Sequence, residues 1–93
     1  GLLYPGDRVD VILTHEVSVK HKEADRETEN KVRVSETILS NVRVIAIDQS
    51  IEDLKTAKNQ ARAPKTATVE VTPAQAEIIA VATRMGTLTL TLQ

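Results

Sequence analysis

The strongest constraint in this chain is a period-2 alternation of apolar and polar residues. After the turn residues Pro5 and Gly6, Val9, Val11 and Leu13 alternate with Asp10, Ile12 and Thr14, and the pattern runs on through Val17 and Val19. Successive side chains of a strand point to opposite faces, so this spacing predicts a strand with one face turned to a core. Residues 20–31 are almost wholly charged and polar. They read as a solvated, mobile hairpin tip, and without Gly or Pro they specify no tight turn. Val32 and Val34 resume the pattern, followed by Ile38, Val42, Val44 and Ala46 on one parity and Leu39, Ile45 and Ile47 on the other. Apolar residues of both parities near Ile47 predict burial on two faces. Residues 8–47 are therefore expected to form two long antiparallel strands.

Residues 48–65 thin out to Ile51, Leu54 and scattered alanines before Pro64. This stretch reads as a linker, or as a marginal helix over 51–61 with little to pack. Residues 66–71 alternate again and predict a strand. Thr72, Pro73 and Gln75 then spell a helix start, with a hydroxyl N-cap, Pro at the first helical position and a capping box. The helix is expected from Pro73 to about Arg84, with Ala76, Ile79, Ala80 and Thr83 facing inward and Ile78, Val81, Ala82 and Met85 broadening that stripe. Gly86 stands where a left-handed C-cap is wanted. The final strand alternates Leu88, Leu90 and Leu92 with Thr87, Thr89 and Thr91. The fold class expected is α+β, mainly β: a long antiparallel hairpin and two further strands in a small sheet or barrel, covered by one helix.

Ninety-three residues make one small domain with little surplus stability. Tyr4 is its sole aromatic, so the core must come from Val, Ile, Leu, Ala and Met85, and stacking on bases, sugars or flavins is disfavoured. A net charge of -1 with both signs spread along the chain speaks against nucleic acid as a partner. Without cysteine there is no disulfide framework, thiolate metal site or Cys nucleophile. No apolar run reaches the roughly 18 residues of a membrane span. The chain opens at Gly1 without an initiator Met, which reads as a fragment of a longer protein.

No chemistry-bearing motif stands out. His15 and His21 share a strand parity, and His21, Glu23 and Asp25 would share a face, yet the two histidines would lie about 20 Å apart at the strand rise, too far for one ion. Asp7, Arg8 and Asp10 cluster beside Gly6. Their structural reading is a turn in which Asp7 bonds backbone amides and Arg8 pairs with a carboxylate of a neighbouring strand; catalysis would need them to converge with a histidine. Arg84 reads as a charge favourable to the helix C-terminus. Nothing in the sequence asks for a cofactor or metal, and no catalytic residue is assigned. The threonines Thr87, Thr89 and Thr91 form an uncharged, β-prone ladder suited to pairing with another chain or to facing solvent.

Three blocks, PGDRVDVIL from Pro5, NVRVIAID from Asn41 and ATVEVTPAQAEIIAVATRMGTLTLTLQ from Ala67, together resemble the C-terminal region of the Flp pilus assembly family CpaB/RcpC of the tight-adherence secretion system. The resemblance implies a β-clip-like fold after a SAF-type domain, in a periplasmic protein whose parent is anchored in the inner membrane. It also implies a structural role beside the outer-membrane secretin, with no catalytic residues to carry over. The long charged hairpin between Glu16 and Ser35 departs from that pattern, as does Gln93, where a basic residue is frequent.

The function expected is thus a non-enzymatic assembly module acting through protein contacts, with a homo-oligomer possible through strand edges. Its candidate contact residues are His21, Glu23, Asp25, Arg26 and Glu27 on the hairpin and Thr87, Thr89 and Thr91 on the last strand. The alternative is a small-ligand or glycan-binding SAF-like domain.

Overall fold

The computed structural model describes residues 2–48 and 66–93. Strand β1 spans Arg8–Glu23, β2 Arg26–Asp48 and β3 Thr66–Glu70; helix α1 spans Pro73–Met85 and β4 Gly86–Leu92. The strands form one antiparallel sheet in the order β3-β2-β1-β4. The sheet stays open, so of the sheet and the barrel it is the sheet that forms. The linker or helix expected at 48–65 lies, from residue 49 on, outside the described residues.

The core is aliphatic and small. Val9, Val11, Leu39, Val42 and Val44 are buried on the inner face of the two central strands, with Leu3, Ile47, Val69, Ile79, Leu88 and Leu90 packed around them. Three register shifts place these residues, one of them between Val11 and Ile12. Between Val9 and Val11 the register with β2 shifts, so that Val9 faces Val42 while Val11 faces Leu39. Asn41 takes a positive φ of 57 at this bulge, a conformation Asn tolerates better than most residues. The extra residue moves Leu39 and Val42, of opposite parity, onto one buried face. A further shift, in the pairing of β2 with β3 between Val44 and Ala46, turns Ile45 out to 43% exposure and leaves Ile47 half-buried. Burial on two faces near Ile47 is therefore not what forms; the second parity belongs to a bulge.

The hairpin differs from its expected form as well. Residues 20–31 are paired strand except at Ala24 and Asp25, which make a two-residue turn between Glu23 and Arg26. Ala24 sits at φ 50, a left-handed position that costs a non-glycine residue about 1 kcal/mol. Pairing on both sides overrides the missing turn signal.

Helix α1 starts as its sequence specifies. Thr72 Oγ1 accepts from the Gln75 amide at 3.2 Å and Gln75 Oε1 accepts from the Thr72 amide at 2.9 Å, completing the capping box, with Pro73 in the first turn. Replacing Thr72 by alanine is expected to cost about 1 kcal/mol in urea unfolding; a change too small to measure would show that the box contributes nothing. The other helix expectations need correction. The inward stripe is Gln75, Ile79 and Ala82, of which Ala82 is buried, whereas Ala76, Ala80 and Thr83 are exposed. Met85 is 50% exposed and belongs to no core. Gly86, expected as a left-handed cap, is extended at φ -177, because the chain enters β4 at once and pairs with His15.

Candidate functional site: an apolar groove and a free β-arm

Because α1 turns only one narrow stripe onto the sheet, its other apolar residues stay in view. Ile78, Val81 and Met85 recur at helical spacing along an outer flank, and Val81 is 61% exposed. With Ala74, Glu77 and Ala82 from the helix and Leu13, Glu36 and Ile38 from the sheet, they line an open groove of about 430 Å³. Its polar side chains are the two carboxylates Glu36 and Glu77. One broad inward stripe, as the sequence suggested, would leave no such surface; the signal was that Ile78, Val81 and Met85 form a second stripe beside Ile79 and Ala82.

His15 stands at the edge of the sheet body, opposite Val34 on β2 and Gly86 on β4. Its Nε2 makes no hydrogen bond and lies 3.8 Å from Glu36 Oε1, a charge pair when the imidazole is protonated. Past His15, among the described residues, β1 has no neighbour but β2, and β2 has no neighbour but β1 until Arg43 meets Glu70. Residues 16–33 thus project as a two-stranded arm on which every residue is exposed. One face carries Val17, Val19 and Val32. The other sets Glu16 against Arg33, Lys20 against Glu29 and Lys22 against Glu27.

The candidate contact residues divide between distant surfaces. His21, Glu23, Asp25, Arg26 and Glu27 lie at the arm's end, while Thr87, Thr89 and Thr91 lie on edge strand β4, opposite Thr14, Ile12 and Asp10. The threonines share their face with a hydroxyl pair, Thr14 Oγ1 and Ser35 Oγ at 2.7 Å. His21 remains six residues along the strand from His15, and among the described residues no cluster of three or more His, Asp or Glu is placed to hold a metal ion.

Asp7, Arg8 and Asp10 serve the backbone. Asp7 Oδ2 accepts from the Tyr4 amide at 2.8 Å. Asp10 Oδ1 accepts from the Asn41 amide at 3.1 Å and from Gln93 Nε2 at 2.8 Å, tying the bulge to the last described residue. Gln93, where the family resemblance leads one to expect a basic residue, therefore still supplies a donor to this carboxylate. The Arg8 guanidinium donates to the Asn41 carbonyl at 3.4 Å, which the bulge brings to it, and among the described residues it pairs with no carboxylate of a neighbouring strand, as the sequence had suggested it would. Arg8 and Asp10 thus both hold the backbone of Asn41 at the bulge, while Asp7 serves the separate turn at Tyr4. Arg84 occupies the last turn of α1, as expected. No helix among the described residues is long and apolar enough to cross a membrane.

A family model described as Flp pilus assembly protein RcpC/CpaB matches residues 1–93. No curated protein and no solved structure matches the chain. The family match spans the sheet, the helix and the charged arm alike, and the chain belongs to the RcpC/CpaB family of Flp pilus assembly proteins.

Proposed function

We propose that this domain is a non-enzymatic assembly factor of the Flp pilus that works in the periplasm and binds protein partners, with the outer-membrane secretin as its principal one. The observation that carries this reading is the open apolar groove beside α1. Exposed apolar side chains at helical spacing over a concave floor suit a partner segment that inserts its own apolar residues. A sugar or small polar ligand would find carboxylates and no aromatic ring there, which disfavours the ligand-binding alternative. The arm tip, with His21, Glu23, Asp25, Arg26 and Glu27, and the edge strand carrying Thr87, Thr89 and Thr91 are further contact surfaces in this reading.

The test is binding of the chain to the immobilised periplasmic domains of the matching secretin. Val81→Glu is expected to weaken binding at least tenfold without lowering the melting temperature, since Val81 is exposed. Binding by this variant at full strength overturns the groove as the contact, and failure of the unaltered chain to bind overturns the secretin. Replacing residues 20–29 by Asn-Gly keeps Val19 opposite Asn30. It is expected to change stability by no more than about 0.5 kcal/mol, as exposed surface substitutions do, and to weaken binding.

A further inference from the structure

The outer edge of β2 has a sign pattern that the fold of one chain does not use. Among the described residues this edge is open along the arm. Its alternate residues Glu27, Glu29, Lys31 and Arg33 share one face and read negative, negative, positive, positive about Asn30. Such a sequence is complementary to itself when reversed. We propose that residues 26–34 pair antiparallel with the same residues of a second copy, about a two-fold axis at Asn30.

In that register Glu27 meets Arg33 of the other copy and Glu29 meets Lys31, each twice. Shifting the axis by one residue sets Glu29 against Glu29 or Lys31 against Lys31, so like charges resist the neighbouring registers. The pairing also extends the charge order already present inside the arm. Lys22 faces Glu27, which would face Arg33 of the second copy, itself opposite Glu16; signs alternate across all four strands. On the reverse face Val32 would meet Thr28 of the second copy and Asn30 its counterpart, a polar seam between the valines of the two arms. The open edge of β1 fits less well. Centring it on Val19 sets Glu16 against Lys22 but carries Glu23 to the level of His15, where Gly86 already pairs. A strand edge with single-sign charges resists association, whereas this one selects its own reverse. Nine residues a side make a small interface, so the dimer is concentration-dependent and weakens with salt.

The chain has no cysteine, so one introduced thiol reports one position. Directly opposed residues of antiparallel strands lie within disulfide reach. Asn30→Cys is expected to form a disulfide dimer under mild oxidation at least tenfold faster than Thr28→Cys, which lies off the axis, or Val19→Cys on the other strand. In light scattering, Glu27→Lys with Glu29→Lys is expected to be monomeric, as is Lys31→Glu with Arg33→Glu. An equimolar mixture of the two is expected to restore the dimer, because every pair opposed across the interface is then unlike again. Melting curves confirm that each variant is folded. Faster cross-linking through Val19→Cys than through Asn30→Cys overturns the proposal, as does a mixture that stays monomeric. Val81→Glu leaves this edge intact and is expected to dimerise normally, which separates self-pairing from contact through the groove.

Discussion

Replacing Gly86 by alanine is expected to lower stability by about 3 kcal/mol, near the top of the range for overpacking. Gly86 is extended, so the cost is one of space and not of backbone conformation. A Cβ there would run into the carbonyl oxygen of Thr14 and lie 3.0 Å from His15 Cβ. Both belong to β1, a central strand held on each side, which cannot retreat without disturbing the core. Gly6→Ala is the control: its φ of +97 strains any side chain, but the space around it is open, so about 1 kcal/mol is expected. Urea unfolding of both variants checks this. Equal losses would mean that the close approach of β4 to β1 carries no special cost.

Leu13→Ala should cost about 3 kcal/mol as well, for a different reason. Leu13 is 2% exposed and forms the floor between sheet and helix. Truncating a buried leucine removes its transfer free energy and leaves a cavity, together worth about 2–5 kcal/mol. The loss is expected to show first as faster hydrogen exchange in α1, whose docking rests on the narrow stripe of Gln75, Ile79 and Ala82. A loss below about 1 kcal/mol, with α1 still protected, would show that the helix is held elsewhere. In a domain this small, either substitution removes a large share of the total stability.

Much of the fold was legible because its signals are local. Alternation from Val9 to Leu13 and from Thr87 to Leu92 marks strands, since side-chain direction alternates within any strand whatever it packs against. Thr72, Pro73 and Gln75 mark the helix start because their hydrogen bonds close within one turn. The candidate surfaces were legible only in part. The charged arm stood out by composition, but its pairing did not, because the two-residue turn at Ala24 lacks a glycine signal and is imposed by the strands on either side.

Amino-acid order alone determined the strands of the sheet body and the helix, the antiparallel connection of β1 to β2, the capping box and an all-aliphatic core; each depends on neighbours in sequence. Tertiary structure alone decided the bulges at Asn41 and Ile45, the stripe of α1 that turns inward, the exposure of Met85 and Val81, and the need for a bare glycine at 86. Each of these depends on a backbone or side chain distant in sequence: Asp10 holding Asn41, β3 meeting Val44 and Ala46, the sheet beneath Ala82, and Thr14 against Gly86. The groove arises in the same way, from apolar residues that local periodicity can place on a helix but that only the packing of that helix leaves uncovered.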